Sequence, residues 1–599
     1  VCGVAGGVNF RADIELLKQD LHHRGPNSSG FFQDGKTWLF HTRLAIQDIT
    51  GGSQPMKREH FIISFNGEIY NHLTLRERYL REFNFKSNSD TETLLYLYIK
   101  YKSKMFEYID GMFAFAIYDI RAKKLTLAVD RAGKKPLFIY KDNSKILFAS
   151  ELNSIKNQLP LKIDDKSIDS YLRVGLFLKQ NTPYLNVERV VAGSYIVIDT
   201  DSLKVERGSY FDIKSIYETK ERITDEKEAL ERLDLALDKS VKSRLLSSDL
   251  EVGAFLSGGI DSSLIVAKAS KYLKNLKTFT VAFSGAYDES NLAKLVAKRY
   301  NTEHHTLNIS INLKDDIAKI LTSYGMPFMD SSAIPSYYVS KEAKKYLTVI
   351  LNGDGADELF GGYRRYVPLA NSWLKLAKIL SPLLKISPKP SSKMSYYNYL
   401  YRLLNISKKS GVDFYLSATS DIFEDYYRFD ENEVVDELDT LIKNCDLEPL
   451  SKMLCLDFKV ILFGDLLVKM DIATMANSLE ARSPFLSRYI LELAPLISSK
   501  LKIRGTKTKY ILRELAKNYL PKELINQPKR GFEVPLREWI DTKLKEPIYD
   551  LLSKDSYSEQ FIKRDFIDRL LNRDSSIAPE KRAKMLWALY SLEVWRRNL

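Results

Sequence analysis

Residues 250–273 read LEVGAFLSGGIDSSLIVAKASKYL: a buried strand, a glycine-rich turn and a helix in immediate succession. The strand-then-glycine arrangement returns in TFTVAF (278–283) and LTVILNGDG (347–355). Such alternation implies a parallel sheet with ligand sites at the carboxyl edge of its strands. In the turn, Ser257, Gly258, Gly259, Asp261 and Ser262 combine backbone N–H groups with a helix N-terminus, a cradle for an anion. The lysine of a GxxxxGK[ST] loop is absent, which argues against a kinase-like phosphate loop. Without its Asp and paired Ser the stretch is an ordinary strand–turn–helix junction.

The chain before this unit has a different texture. FIISFNGEIY, MFAFAIYD, KLTLAVD, PLFIY and KILFAS are short β-rich runs in residues 1 to about 150, broken by turn chemistry such as HRGPNSSG and TGGSQP. They predict an antiparallel, layered domain. TETLLYLYIKY reads as a helix capped by Ser89 or Asp90. Residues from about 160 to 212 predict a strand-rich connection, and ITDEKEALERLDLALDKSVKSRLL a helix with a Thr-Asp start. Beyond about 370 the pattern is mostly helical, with SPLLKISPKPSSK as a loop. The expected boundaries are 2–212 for the first domain and 225–599 for the second.

Composition narrows the class. At 599 residues the chain is too long for one core, and 45% hydrophobic with 28% charged residues is ordinary for a globular protein. Three cysteines make no disulfide framework, which points to a reducing compartment, the cytoplasm. No apolar run reaches the ~18 residues of a membrane span, and no signal peptide is visible. The net charge of +13 comes from 90 Lys and Arg spread among 77 acidic residues, without a basic stripe carrying aromatics, so no nucleic-acid partner is expected.

Cys2 opens a second line of argument. By itself a cysteine near a terminus is unremarkable. Removal of residue 1 would place its thiol beside its own free α-amine, a nucleophile with a base. Thiolate attack on a glutamine amide also needs an oxyanion hole, which an Asn side chain and a Gly N–H supply. It needs a planar guanidinium for the α-carboxylate and acidic groups for the α-ammonium. HTRLAIQD, NGEIYNH and SDTE offer Arg43, Asn66, Gly67, Glu68 and Asp90. Each alone has an equally plain reading as surface residue, hairpin turn or helix cap.

Together with Cys2-Gly3 these stretches resemble the glutaminase domain of N-terminal-nucleophile amidotransferases. The resemblance implies Cys2 as nucleophile, Asn66 and Gly67 as oxyanion hole, and Arg43, Leu44, Glu68 and Asp90, with Asn66 and Gly67, as the glutamine site. Asn27 stands where relatives carry Asp after HRGP. SGGIDSS and NGDGADELFGGYRRY likewise resemble the loops of ATP pyrophosphatases, which adenylylate carboxylates. That resemblance implies ATP contacts at Leu256, Ser257, Gly258, Gly259, Asp261, Ser262, Val281, Asn352 and Gly353. It implies Mg²⁺ on Asp261 and Asp357, and catalytic roles for Lys509 and Asp354. Lys509, read without it, is a solvated charge at the start of an amphipathic helix.

The two domains in this order are similar to glutamine-dependent asparagine synthetases, over nearly the whole chain: CGVAGG, SFNGEIYNH, SGGIDSS, GDGADELFGGY, LVKMDIATMANSLEARSPFL, QPKRGFEVP and LWALYSLEVW. The implied fold is an Ntn-hydrolase-like layer of antiparallel sheets followed by a parallel-sheet pyrophosphatase fold with a helical C-terminal extension. The implied substrates are glutamine, ATP and aspartate, with ammonia passed through an internal channel, and a homodimer is compatible. The acceptor stretch departs from that pattern. MPFMDSSAIPSYYVS lacks an arginine that asparagine synthetases carry there, and Asp354 replaces a Glu. Lys469, Arg482 or Arg364 is expected to compensate, with Asp471 or Asp330 for the ammonium. Amidation of a sugar or peptide carboxylate is the second reading. A non-catalytic scaffold is the third, disfavoured by the intact motif set.

Overall fold

The computed structural model describes residues 2–599 apart from 283–289, 310–311, 372, 389–395, 420–421, 424–425, 428–432, 444 and 528–533. Most of QPKRGFEVP and the end of SPLLKISPKPSSK lie outside the described residues. The first part of the latter, Ser381–Lys385, is a 3₁₀ helix and not a loop.

Twelve strands build the N-terminal half: β1 Gly3–Val8, β2 Ser28–Asp34, β3 Thr37–Arg43, β4 Met56–Arg58, β5 Phe61–Ile69, β6 Gly111–Asp119, β7 Lys124–Val129, β8 Phe138–Lys141, β9 Ile146–Ala149, β10 Val187–Arg189, β11 Ser194–Asp199 and β12 Val205–Ser209. They form two six-stranded antiparallel sheets, ordered β10-β8-β9-β1-β3-β2 and β12-β11-β7-β6-β5-β4. Val4, Leu39, Ile139 and Phe148 of the first sheet meet Ile62, Ala116, Leu127 and Ile196 of the second in one buried core. Both inner faces are apolar, so the strands read as near-continuous hydrophobic runs. The helix Asp90–Tyr101 covers the outer face of the second sheet; Ser89 is its cap, accepting from the Thr91 N–H at 3.2 Å, which frees Asp90 for another contact. The connection after residue 160 contains a helix, Asp165–Val174, besides its strands. Its Gly175 cap at φ +91° was a stop signal that the neighbouring β-rich runs obscured.

The C-terminal half holds the parallel sheet. Strands β13 Val252–Phe255, β14 Lys277–Ala282, β15 Glu303–Asn308, β16 Val349–Leu351 and β17 Glu480–Arg482 are ordered β15-β14-β13-β16-β17, all parallel. The order reverses between β13 and β16, opening a crevice at their carboxyl ends. SGGIDSS follows β13, and NGDGADE follows β16. Strand β17 comes from a stretch read as helical, because three residues between helices carry no period of their own. The helix Glu226–Leu246 starts as expected, with the Asp225 carboxylate accepting the Glu228 N–H at 2.7 Å.

The halves share a core. Ala5, Trp38, Phe40 and Leu147 on the outer face of the first sheet pack in one cluster with Trp587, Leu589 and Trp595 of the C-terminal helix Pro579–Arg597. That helix also anchors the MPFMDSS stretch. Trp587 donates to the Met329 carbonyl at 2.9 Å, and the Ser591 hydroxyl bridges the Phe328 N–H and C=O at 3.0 and 2.8 Å.

Candidate active site

Cys2 precedes β1 in a buried position, with Asn66 of β5 beside it. The Cys2 N–H donates to Asn66 Oδ1 at 2.9 Å. The other end of that amide, Nδ2, is buried and meets no protein acceptor among the described residues. A buried donor without a partner costs about 1–3 kcal/mol, a cost that an acceptor entering the pocket would remove. Gly67 follows at φ +155°, where a Cβ would lie 2.1 Å from the Met112 carbonyl. Only glycine allows β5 to run this close to β6 while keeping its N–H beside the pocket.

Cys2, Arg43, Leu44, Gly67, Glu68 and Asp90 line one pocket, together with Gln47, Gln54 and Ser89. Arg43 is fixed by three loop carbonyls: Nη1 donates to Ile49 at 2.8 Å and Nη2 to Asp48 at 2.6 Å and Gln47 at 3.2 Å. Asp90 accepts from the Ile69 N–H at 2.8 Å. Burial pushes the Asp90 carboxyl up to about 6, with Glu480 adding to the rise against two backbone donors. Burial and Asp90 likewise raise Glu68 well above the carboxylate range, against the pull of Arg482. Both carboxyls are desolvated; Glu68 already meets Arg482 at 3.2 Å, whereas Asp90 is met by backbone N–H groups.

A residue that motif reading passed over stands next to the thiol. His41, fully buried, donates from Nε2 to the Phe65 carbonyl at 3.1 Å. Burial opposes ionisation of Cys2, but other influences, His41 foremost and a backbone hydrogen bond at Leu44 among them, outweigh it, and the thiol falls to about 6. The signal was present two residues before Arg43 in HTRLAIQD. A buried imidazole on a strand has no spacing that distinguishes it from core.

At the crevice of the parallel sheet, the Ser257 N–H donates to Ser262 Oγ at 3.1 Å, and the two hydroxyls meet at 2.9 Å. This closes SGGIDSS into a cradle at the start of the helix Ile260–Ala269. Gly353 passes so near that a Cβ there would stand 3.3 Å from Asp261 Cβ. The Leu256 side chain is core, while Val281 lies on β14. Lys509 donates to Asp261 Oδ2 and stands 2.7 Å from Asp357 Oδ1. Its own backbone is left-handed, at φ +51°. A non-glycine residue there costs about 1–2 kcal/mol, strain kept where an ammonium must reach two carboxylates. Burial works against that charge, yet Asp261 and Asp357 raise Lys509 above its ordinary value. At Gly362 a Cβ would overlap Asp357 Oδ1 at 1.7 Å, so the second glycine of GGY makes the pairing sterically possible.

Asp354 is held by Asn352, whose Nδ2 donates to Oδ2 at 2.6 Å; Ser483, directly after β17, donates to Asn352 Oδ1 at 2.6 Å. In the acceptor stretch, Lys469 donates to Asp330 Oδ2 at 2.7 Å and to Ser332 Oγ at 2.8 Å. Asp465, on the π-helix Phe458–Leu466, joins them; burial and Asp330 push it up to about 8. Of the expected compensating groups, Lys469 and Asp330 therefore meet. Arg482 does not join them: it is saturated by Glu480 at 2.6 Å, Glu68 at 3.2 Å and the Arg244 carbonyl at 2.6 Å. Asp471 is taken by Arg24 and Lys135, each at 2.9 Å, and Arg364 is exposed on a 3₁₀ turn.

No described group of three or more His, Cys, Asp or Glu side chains could hold a metal alone. Asp261 and Asp357 are hard oxygen donors gathered on one ammonium, a pair suited to a hard cation whose other ligands come from phosphate oxygens. No described helix is long and apolar enough to cross a membrane.

Comparison with known proteins gives consistent matches. Residues 232–597 match the family model described as asparagine synthase, and residues 1–211 the glutamine amidotransferase domain. A protein of Bacillus subtilis strain 168 named asparagine synthetase [glutamine-hydrolyzing] 1 is 33% identical over 97% of this chain and 93% of its own. Another from the same organism, asparagine synthetase [glutamine-hydrolyzing] 3, is 27% identical over 96% and 94%. Asparagine synthetase B [glutamine-hydrolyzing] of Escherichia coli K12 is 30% identical over 61% and 65%.

Proposed function

Because the chain belongs to the asparagine synthase family, we propose that it is a glutamine-dependent asparagine synthetase. It hydrolyses glutamine in the half assigned to residues 2–212 and forms β-aspartyl-AMP from aspartate and ATP in the half assigned to 225–599. Asparagine, glutamate, AMP and pyrophosphate are the products. The Cys2 thiolate attacks the glutamine amide, and its α-amine, freed by removal of residue 1, carries the proton to the leaving ammonia. Asn66 Nδ2 and the Gly67 N–H receive the oxyanion. Arg43 and Leu44 border the α-carboxylate, and Glu68 and Asp90 meet the α-ammonium.

In the second half, Ser257, Gly258, Gly259 and Ser262 cradle the phosphates. Leu256, Val281, Asn352 and Gly353 border the nucleoside. Asp261 and Asp357 hold Mg²⁺, which when bound neutralises phosphate charge. Lys509 stabilises charge as the acyl-adenylate forms, and Asp354 aids that same step.

The observation that supports this reading most is a path of buried polar contacts between the two sites. The Cys2 carbonyl accepts from Arg24 Nε at 3.2 Å; Arg24 and Lys135 share Asp471; the adjacent Lys134 reaches Ser483 at 2.6 Å. The missing arginine in MPFMDSSAIPSYYVS favours a second reading, amidation of a sugar or peptide carboxylate through the same intermediate. The deciding experiment is pyrophosphate release from ATP with glutamine and a panel of carboxylates. Stimulation by aspartate supports the first reading; stimulation only by galacturonate or a peptide carboxylate overturns it in favour of the second.

A further inference from the structure

The loop DRAGKKPL buries two consecutive lysines, which is costly unless each charge is met. Asp130 shapes it by accepting the N–H groups of Ala132, Lys134 and Lys135 at 3.0–3.1 Å. The turn sends both side chains across to the C-terminal half. Lys135 is fully met, by Asp471 at 2.9 Å. Lys134 is not. It donates to Ser483 Oγ at 2.6 Å and has its nearest carboxylate, Asp354 Oδ2, at 3.8 Å, outside hydrogen-bond range. Two lysines on one turn are thus treated differently: one is clamped, the other kept close to the group next to the ATP crevice. Ser483 Oγ lies 3.4 Å from Asp354 Oδ2 but gives its proton to Asn352 Oδ1 at 2.6 Å, and Asn352 Nδ2 donates in turn to Asp354 Oδ2 at 2.6 Å.

We propose that Lys134, a residue of the N-terminal half, is a positioning residue of the synthetase site: through Ser483 and Asn352 it fixes the Asp354 carboxylate, so that this site is complete only with the N-terminal half docked. The inference rests on the acyl-adenylate chemistry proposed above and adds to it a group from the other half. Neither motif set contains Lys134. The groups facing it are Ser483 and Asp354 from the C-terminal half, Asp471 farther along that surface, and Lys135 and Asp130 from its own loop. Burial, the largest influence, brings the ammonium down to about 8, with Lys135 adding to the fall and the carboxylates resisting it. As pH rises through about 8 the ammonium is expected to lose its proton, and Asp354 its counter-charge.

The test is pyrophosphate formation in a single turnover of the full-length protein with ATP, Mg²⁺ and either aspartate or galacturonate. Nitrogen donors are omitted so that the titration of ammonia does not enter. Lys134→Met is expected to slow the step by roughly tenfold or more while ATP affinity stays within about twofold, the pattern of a misplaced reacting group. Lys134→Arg, which keeps its charge, is expected to recover most of the rate and to lose the wild-type decline above pH 8. Wild-type rates in Lys134→Met overturn the inference alone, as does a Lys134→Arg profile that still declines near pH 8. If Lys134→Met does not fold, the Lys134→Arg profile decides. No pyrophosphate from wild type with either acceptor overturns the proposed function, and this inference with it.

Discussion

Arg24 Nη2 lies 2.9 Å from Asp471 Oδ2 across the two halves of the molecule, and both side chains are buried. Arg24 also holds Glu151 at 2.7 Å, and Asp471 also holds Lys135. Burial alone would raise Asp471, but Arg24 and Lys135 bring it down to about 2. Its stabilising contribution is present above the ordinary carboxylate value of about 4 and is lost as pH falls toward 2. Asp471→Asn leaves two buried cations facing an amide, and a loss of about 3–5 kcal/mol is expected. Denaturant unfolding of the variant at pH 7 checks this. A midpoint equal to wild type would mean that these charges are solvated at the interface.

Cys2→Ala is expected to abolish glutamine-dependent product formation and to spare synthesis from added ammonia. The thiol stands before β1 of an antiparallel sheet, whereas the ATP crevice follows β13 of the parallel sheet. Parallel assays with glutamine and with ammonium chloride separate the two. Loss of both activities would show a structural coupling through Cys2 itself.

Glutamine hydrolysis should rise with pH through about 6 and then level off. The Cys2 thiol and the Asp90 carboxyl both stand near 6, and both act in their ionised forms, which exist above that value. His41→Asn removes the strongest opposing influence on the buried thiol and should move the limb to higher pH. Asp90→Asn should instead raise the KM for glutamine. Measurement of kcat/KM from pH 5 to 8 distinguishes them; a flat profile in wild type would exclude a titrating thiol here.

Much of this was legible beforehand because the residues are local in sequence. The strand–glycine–helix unit at 250–273 fixed the parallel sheet and its crevice, and alternating apolar runs fixed the antiparallel layers. What stayed hidden depends on contacts between distant segments. Lys134 and Lys135 look like a solvated pair until Asp130 turns them inward. Arg482 looks like a free cation until Glu68, from residues more than 400 positions earlier, meets it. Lys509 was placed by resemblance alone, since its left-handed backbone has no signature in KTKYILRE.

Asp357→Asn and Lys509→Met address the ATP crevice. Lys509 joins Asp261 and Asp357, so removing either partner misplaces the other and the Mg²⁺ that the carboxylates are proposed to hold. Pyrophosphate release is expected to fall by roughly a hundredfold in each variant. Asp357→Asn should recover part of its rate at high Mg²⁺, and Lys509→Met should not. Wild-type rates at limiting Mg²⁺ would remove these residues from the site.

The acceptor pocket decides between the two readings of substrate. Lys469 is bonded to Asp330 and Ser332, and Asp465 next to them is raised to about 8. One ammonium among two carboxyls leaves room for a second cation and offers a partner for one carboxylate, which suits an acceptor carrying both charges. If aspartate is that acceptor, Lys469→Met should raise its KM by roughly tenfold or more and leave the KM for ATP nearly unchanged, because a site that pairs charged substrate groups discriminates strongly against their loss. Succinate, without the ammonium, should be a poor acceptor in the wild type. The measurement is pyrophosphate release against aspartate, succinate and galacturonate concentration. Succinate equal to aspartate would show that Asp330 and Asp465 bind no ammonium. Galacturonate turnover without any response to aspartate would transfer the same chemistry to a sugar carboxylate.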